Sequence, residues 1–219
     1  MWRGGKIGDM KLLLVGSTGL VGHHVLDLAL ADRRVDAVVA LVRRGDLPEH
    51  TKLLTEIVDF EHLPEDGPWW RVDAVICTLG TTLRTAGSKE VFRRVDHGYP
   101  YTVARLARQH GTPTFVLNSA LGADSSSRFF YNRVKGELER DLATLGFSSL
   151  TFVRPGLIGG RREETRPMEQ VASLALGLLK PILPRRLRIN PAERIAHALV
   201  DAAVTARSGI HLVSSAELT

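Results

Sequence analysis

The sequence predicts an α/β protein built on a doubly wound parallel sheet. Three observations predict it: short apolar runs alternate with amphipathic segments along the chain, the first apolar run ends in a glycine-rich turn, and no internal repeat or linker divides the 219 residues. Strand-length apolar runs that alternate with helical patterns are typical of parallel sheets covered by helices on both faces. A chain of this length suits a single domain, 1–219, with a sizeable core.

The elements of the first half follow from the hydrophobic pattern. Continuous apolar runs predict strands at 10–16, 36–42 and 73–80, and a weaker run predicts one at 55–60. Residues 20–31 then carry helical periodicity. A long helix is then predicted over 88–111, in which Pro100 should cause a bend or an irregularity.

The second half continues the same alternation. Strands are predicted at 113–119, 148–156 and 209–214, separated by helices at 129–146 and 190–204. Gly146 is a candidate C-cap of the first of these helices.

The last predicted helix has a distinct start signal. Asn190 is suited to the N-cap, Pro191 to the first helical position, and Glu193 to the second half of a capping box. The segment before it, 157–189, is the least regular part of the chain. We expect a small C-terminal extension on the substrate side of the sheet, with 157–189 as its lid.

Cysteine content and hydropathy bear on location. The single cysteine, Cys77, excludes an internal disulfide framework and favours a reducing compartment. The apolar run near the N-terminus is too short for a signal peptide, and the longest apolar stretch near the C-terminus is broken by Lys180 and Pro181. These features predict a cytoplasmic protein without a membrane span.

The charge of the chain suggests an anionic ligand. The net charge is +5, and the basic residues are mostly arginine, which suits either a phosphate-bearing ligand or nucleic acid. The arginines are scattered, and no nucleic-acid-binding motif is present, so we expect no nucleic-acid partner. No histidine–carboxylate spacing indicates a metal site.

A glycine-rich turn follows the first predicted strand and opens the first helix. Gly16, Gly19 and Gly22 have the spacing G-x-x-G-x-x-G. Such a turn lets backbone N–H groups approach a pyrophosphate at a helix N-terminus, although a tight turn alone can require glycine. Because the turn lies at the first strand–helix junction, nucleotide binding is favoured, with four intervening candidate residues: Ser17, Thr18, Leu20 and Val21.

Two arginines end the second predicted strand. An acidic residue at this position selects NAD through the ribose hydroxyl, whereas Arg43 and Arg44 can bind a 2′-phosphate. The pair therefore predicts NADP(H) as cofactor, although the nearby Asp46 keeps NAD as the alternative.

A tyrosine and a lysine share one face of the helix predicted at 129–146. Tyr131 lies four positions before Lys135, just over one helical turn, and Ser119 ends the preceding strand. An exposed tyrosine beside a solvated lysine is common by itself. With a nucleotide turn upstream, we expect the pair to be functional.

These motifs together resemble the atypical short-chain dehydrogenase/reductase family, in particular its HIV Tat-interacting-protein type of oxidoreductase. The matching pieces, in order along most of the chain, are "GSTGLVG", "RR", "VDF", "CTLGTT", "NSALGADSSSRFFYNRVKGELE" and "FVRPGLIGGRREETRP". The resemblance implies an NADP-binding Rossmann domain with Ser119, Tyr131 and Lys135 as its catalytic set. It also implies further cofactor contacts from Asp59, Phe60, Leu79, Gly80, Thr81, Pro155 and Gly156.

The chain departs from the family pattern in two places. Many members carry an asparagine in the long middle helix, and the stretch "RRVDHGYP" shows none that can be placed. The C-terminal part is also short, which argues against a nucleotide-sugar substrate.

The resemblance leaves two functions open. The first is an NADPH-dependent reductase of a small carbonyl compound, in which Lys135 lowers the pKa of Tyr131, Tyr131 donates the proton and Ser119 holds the substrate oxygen. The alternative is a protein that binds NADP(H) to regulate a protein partner, with little or no catalysis.

Overall fold

The computed structural model describes residues 10–45, 47–159 and 189–219. Within these ranges the strands are β1 Met10–Val15, β2 Val35–Val42, β3 Leu53–Ile57, β4 Ala74–Cys77, β5 Thr114–Asn118, β6 Ser149–Arg154, β7 Ile158–Gly159, β8 Asn190–Pro191 and β9 Gly209–Ser214. The α-helices are α1 Leu20–Ala31, α2 Leu83–Ala86, α3 Lys89–Arg93, α4 Tyr99–Gln109, α5 Phe130–Ala143 and α6 Ala192–Thr205. The predicted strands and helices are confirmed, with bounds that shift by a few residues.

Seven of these strands form one parallel sheet in the order β3-β2-β1-β4-β5-β6-β9. The chain first adds strands on one side of β1 and then crosses to β4 on the other side. Ligands bind at such reversals, in the crevice beyond the carboxyl ends of the strands. The fold is therefore the predicted doubly wound α/β sheet, and its crevice lies between β1 and β4.

Both faces of the sheet are buried, which explains the continuous apolar runs. Leu12 and Leu14 of β1 belong to one core cluster, which also contains buried residues of α1 and α6. Leu13 and Val15 belong to a second cluster, which contains buried residues of α4 and α5. Alternate residues of a strand point to opposite faces, so a strand between two helical layers is apolar at every position.

The long helix predicted over 88–111 is irregular in its middle. Helix α3 continues into a π-helical segment, Arg94–Gly98, before α4 begins. Pro100 lies in the first turn of α4, where its missing N–H and its ring favour a local break in the α-helical hydrogen bonding. The predicted irregularity is confirmed. The π-helical segment contains Asp96, which is 1% exposed.

The capping box predicted at the start of α6 is wrong. The helix begins at Ala192 with Pro191 at its N-cap, and no side chain caps it. Asn190 is instead fully buried, and its amide oxygen accepts hydrogen bonds from the Gly156 N–H at 2.7 Å and the Ser215 hydroxyl at 2.8 Å. These tertiary partners satisfy the side chain better than an exposed helix end would.

The two ends of the segment predicted as a lid are held together. Ile158 pairs with Asn190 in the short parallel bridge between β7 and β8, and the Asn190 N–H donates to the Leu157 carbonyl at 2.8 Å. The rest of the predicted lid, 160–188, lies outside the described residues.

Candidate active site

The glycine turn brings β1 against the loop after β4. Gly16 has a φ of +95°, and a Cβ there would lie 2.7 Å from Thr78 Oγ1. A Cβ on Gly22 would lie 2.0 Å from the Gly16 carbonyl oxygen. Neither position can accommodate a side chain without moving backbone. The turn is therefore closed at its base and can present backbone amides at the mouth of the crevice.

The turn also has polar groups that the described residues leave unpaired. Gly19 is the N-cap of α1 and provides no side-chain cap for the first amides of that helix. Ser17 is fully buried, and its Oγ has no hydrogen-bond partner among the described residues. A buried hydroxyl without a partner is unusual. Helix N-terminal amides with such a hydroxyl fit the pyrophosphate of a dinucleotide.

The other predicted residues of the turn have mixed environments. Thr18 is exposed, Leu20 is half-buried and Val21 is 5% exposed. Val21 packs in the core cluster of α1 and α6. Its side chain therefore supports the turn from the core side.

Arg43 and Arg44 directly follow β2 and are both exposed. Neither side chain forms a hydrogen bond or an ion pair with another described residue, so both guanidinium groups are available to an anion. Asp46, the residue that keeps NAD as the alternative, lies outside the described residues.

Asp59 and Phe60 follow β3 and differ in exposure. Asp59 is exposed and its carboxylate lies 2.9 Å from His62 Nδ1. Phe60 is 6% exposed and its ring lies 5.7 Å from that of Tyr99. Their predicted place beside the adenine stays a prediction.

Three elements meet at a buried ion pair. Lys135 of α5 places its Nζ 2.8 Å from Asp96 Oδ1, and the two side chains are 4% and 1% exposed. The other Asp96 oxygen accepts the Thr81 N–H at 2.7 Å. A Cβ on Gly80 would lie 3.3 Å from Asp96 Oδ1. The loop after β4, the π-helical segment and α5 therefore converge on Asp96.

Sequence reasoning missed Asp96, although a signal for it existed. Phe92 is fully buried, and Asp96 lies four residues later in the single helix predicted over 88–111. Extending the helical face from Phe92 would have placed an acid inside the protein. Burial of a carboxylate requires a partner, and the buried Lys135 provides it.

Tyr131 stands beside this ion pair. Its side chain is partly exposed, its ring lies 5.7 Å from that of Phe92, and Lys135 and Asp96 both act on its pKa. Burial raises the pKa of Tyr131, Lys135 lowers it and Asp96 raises it, so that the pKa lies above its usual value. The lowered pKa predicted from Lys135 is therefore wrong, because burial of the phenol outweighs the charge of Lys135 and Asp96 adds to the effect of burial.

Asp96 also affects the pKa of Lys135. Burial acts to lower the pKa of Lys135, but the charge of Asp96 opposes it and the pKa lies above its usual value. Lys135 is therefore a cation throughout the physiological range.

Ser119 has a partner that the sequence did not suggest. It is 5% exposed, and its hydroxyl donates to Glu139 Oε1 at 2.5 Å. Glu139 is also ion-paired with Arg154, whose Nε donates to the same oxygen at 3.0 Å. This bond with Glu139 raises the pKa of Arg154. The structure thus brings Tyr131 and Lys135 together and links Ser119 to a second charged pair.

Glu139 could also have been found from the sequence. It lies four residues after Lys135 in "KGELE", so both face the interior from one side of α5. Both are nearly fully buried in the folded chain.

The loops after β5 and β6 lie against each other at the carboxyl edge of the sheet. The Ser119 N–H donates to the Val153 carbonyl at 2.8 Å, and the Leu121 N–H donates to the Pro155 carbonyl at 2.7 Å. Gly156 is tied to Asn190. Pro155 and Gly156 therefore share this edge with Ser119. Leu79, after β4, is partly buried against the core cluster of α4 and α5.

Comparison with known proteins identifies the family. No family model matches the chain. The Aspergillus niger protein fmp52, mitochondrial, is 35% identical over 210 residues, which are 91% of this chain and 89% of that protein. The protein of the same name from Emericella nidulans is 37% identical over 178 residues, and that from Candida albicans is 31% identical over 191. The chain belongs to the Fmp52 family.

Solved structures show the fold of this Fmp52-family chain in other proteins. MoeE5, in complex with UDP-glucose and NAD, has a TM-score of 0.70 and 17% identity, over 92% of this chain and 74% of that one. WbmH of Bordetella bronchiseptica, in complex with NAD+, has a TM-score of 0.67 and 17% identity, over 94% and 76%. The PhqB reductase domain from Penicillium fellutanum has a TM-score of 0.69 and 20% identity, over 94% and 67%. The chain therefore has the Rossmann fold that these proteins share.

The Fmp52 names correct one prediction. The relatives from Aspergillus, Emericella and Candida are all named mitochondrial, which overturns the cytoplasmic location predicted from the sequence. The reasoning failed because a single cysteine argues only against an oxidising compartment and does not distinguish between the others. Among the described residues, the helices are all too short or too polar to cross a bilayer.

Proposed function

We propose that the protein is an NADP(H)-dependent oxidoreductase of the short-chain dehydrogenase/reductase type that reduces a small carbonyl compound. The observation that carries the proposal is the position of Tyr131 beside the buried Lys135–Asp96 pair. This pair contacts the loop after β4, and that strand and β1 border the crevice of the sheet. A proton donor, a fixed cation and an anion-binding turn are thus grouped at one edge.

The chain supplies positioning and proton transfer. A nicotinamide bound in the crevice would supply the hydride, which is its ordinary chemistry. Tyr131 keeps its proton at neutral pH, since its pKa lies above the usual value, and gives that proton to the carbonyl oxygen as the alcohol forms. Lys135 then stabilises the phenolate that remains. The Ser17 hydroxyl, unpaired among the described residues, and the first amides of α1 would hold the pyrophosphate of the cofactor.

NADP(H) is proposed over NAD(H) because of the end of β2. Arg43 and Arg44 are exposed, and neither is engaged by another described residue. A 2′-phosphate offers them a dianion, and guanidinium–phosphate hydrogen bonds are strong and often bidentate.

One observation favours the regulatory alternative. The Ser119 proton is committed to Glu139 in the folded chain, which leaves a substrate oxygen with one assigned donor, Tyr131. A protein that binds NADP(H) to control a partner would have no need of a second donor. Because the relatives are named mitochondrial, we place this protein in the mitochondrion under either function.

A paired experiment tests the proposal. Binding of NADPH and NADH to the purified protein is measured by fluorescence titration, and oxidation of NADPH is then followed with a panel of small aldehydes and ketones. We expect tight NADPH binding and turnover that the Tyr131→Phe variant loses. NADPH binding without turnover on any carbonyl compound would favour the regulator, and absence of binding would overturn both functions.

A further inference from the structure

The proposed proton transfer leaves one buried acid without a role. Asp96 is almost fully enclosed, yet both of its oxygens are engaged, one by Lys135 Nζ at 2.8 Å and one by the Thr81 N–H at 2.7 Å. A lysine that served only to lower the pKa of Tyr131 would work better without a carboxylate beside it. The presence of Asp96 therefore requires an explanation in terms of charge.

Among the described titratable groups near Tyr131, Asp96 is the one that balances the positive charge of Lys135. Tyr131 lies one helical turn before Lys135 on α5, Lys135 is ion-paired with Asp96, and both charges act on the pKa of Tyr131. Cys77, at the end of β4, acts on the same lysine. Burial raises the pKa of Cys77 to about 11, so the thiol carries no charge at neutral pH.

Two further carboxylates of α5 are also paired. Two ion pairs join α5 to α3 and to the π-helical segment: Arg93–Glu137 with 2.6 Å between nitrogen and oxygen, and His97–Asp141 with 2.8 Å. Arg93 balances Glu137, and Asp141 is also ion-paired with Arg140 at 3.0 Å, so neither carboxylate adds a net charge beside the phenol.

Building on the proposed function, we propose that Asp96 is a positioning residue that acts through Lys135 to keep Tyr131 in its proton-bearing form. Asp96 holds the Lys135 ammonium group in place and offsets its positive charge. The ammonium group then does not favour loss of the phenolic proton of Tyr131 before the reaction. The raised pKa of Tyr131, caused by burial first, with Lys135 lowering it and Asp96 raising it, agrees with this geometry.

The consequence for chemistry is the pH range in which carbonyl reduction operates. In carbonyl reduction the Tyr131 O–H bond breaks, and its proton forms the alcohol O–H bond as the hydride reaches the carbonyl carbon. This step requires a neutral phenol beforehand. Alcohol oxidation requires the phenolate as base. By keeping the phenol protonated to higher pH, Asp96 moves the upper pH limit of reduction and the lower pH limit of oxidation upward, while the equilibrium between the two directions is unchanged.

The first test needs neither a substrate nor an Asp96 variant. The phenolate absorbance of the unmodified protein is titrated against pH, and the curve of Tyr131→Phe is subtracted to isolate Tyr131. We expect a midpoint at or above about 10, the value of an ordinary tyrosine. A midpoint well below that value would overturn the inference, because Lys135 would then act as an unbalanced cation.

The second test changes the charge with little change in shape. Asp96→Asn retains an oxygen for the Thr81 N–H and should lower the Tyr131 midpoint by about one pH unit or more. Asp141→Asn, the same change on the outer side of α5, should leave the midpoint in place. An unchanged or raised midpoint in Asp96→Asn would refute the inference.

Kinetics separate this inference from the proposed function. If a carbonyl substrate is found, the pH at which reduction falls off should move down in Asp96→Asn by the same amount as the phenol midpoint. If no carbonyl compound is reduced, the proposed function fails, while the two titrations still decide whether Asp96 controls the proton of Tyr131.

Discussion

Ser119 donates its hydroxyl proton to Glu139, a carboxylate twenty residues along the chain that is also paired with Arg154. Ser119→Ala therefore removes a donor from a buried carboxylate. Glu139 Oε1 keeps the donor Arg154 Nε, so the loss is one hydrogen bond to a charged group, about 1.5–3 kcal/mol. We expect the free energy of unfolding to fall by that amount and turnover to fall with it. Denaturant unfolding measures the first quantity. Ser126→Ala, which loses a hydrogen bond to Asp124 at an exposed site, is the control and should change stability by less than half as much.

Tyr131→Phe should separate chemistry from stability. The ring keeps its contact with Phe92, and its hydroxyl has no hydrogen-bond partner among the described residues, so stability and cofactor affinity should stay nearly unchanged. Turnover should fall by about 10²–10⁴-fold, as is usual when a general acid is lost. Tyr101→Phe removes the same group from a ring that stacks on His97 and should keep full activity. Full activity in Tyr131→Phe would mean that another group donates the proton.

The unpaired hydroxyl of Ser17 gives a prediction with opposite effects in the free and bound states. Ser17→Ala removes no hydrogen bond to a described residue, so stability without cofactor should hold or rise. A hydrogen bond to a charged group is worth about 1.5–3 kcal/mol, so cofactor affinity should fall by roughly 10- to 100-fold. Thermal unfolding with and without NADPH measures both effects.

Ser149 provides a matched control for Ser17. Its hydroxyl is also buried and unpartnered among the described residues, but it begins β6 at the opposite edge of the sheet. Ser149→Ala should leave cofactor affinity unchanged. Equal losses of affinity in the two variants would show that Ser17 does not contact the ligand.

Replacement of Arg43 and Arg44 by alanine should change cofactor selectivity. Loss of charge-assisted bonds to a 2′-phosphate should weaken NADPH by about 10- to 100-fold, with little effect on NADH. Arg33→Ala, an exposed arginine before the start of β2, should affect neither cofactor. Fluorescence titration measures the affinity for each cofactor. Equal losses of affinity for NADPH and NADH would contradict the assignment of Arg43 and Arg44 to the 2′-phosphate.

Asp141 gives a prediction about acid stability. Burial acts to raise the pKa of Asp141, but hydrogen bonds with His97 and Arg140 outweigh it and the pKa is lowered. A lowered pKa contributes stability that is present above the unfolded value, about 3.9, and is lost as pH falls through the folded value. Asp141→Asn should therefore be less stable at neutral pH, and the difference should narrow below about pH 4. A constant difference from pH 7 to pH 3 would contradict this.

Local features were predictable and long-range partnerships were not. The glycine turn, the buried strands and the break near Pro100 depend on residues close together in the chain, and each was predicted. The Asp96–Lys135 pair spans 39 residues and exists only because the sheet brings α5 beside the π-helical segment. The error at Asn190 has the same origin, since its partner Ser215 lies 25 residues away.

The π-helical segment Arg94–Gly98 makes the site depend on the number of residues as well as on their identity. A π-helical turn holds one residue more than an α-helical turn, and each residue of an α-helix advances the side chains by about 100°. Deleting one residue from this segment would restore a continuous α-helix, but α3 would then be rotated relative to α4. Asp96 would then point away from Lys135, although every residue of the site would still be present. A sequence alignment that closes this position with a gap would conceal that loss.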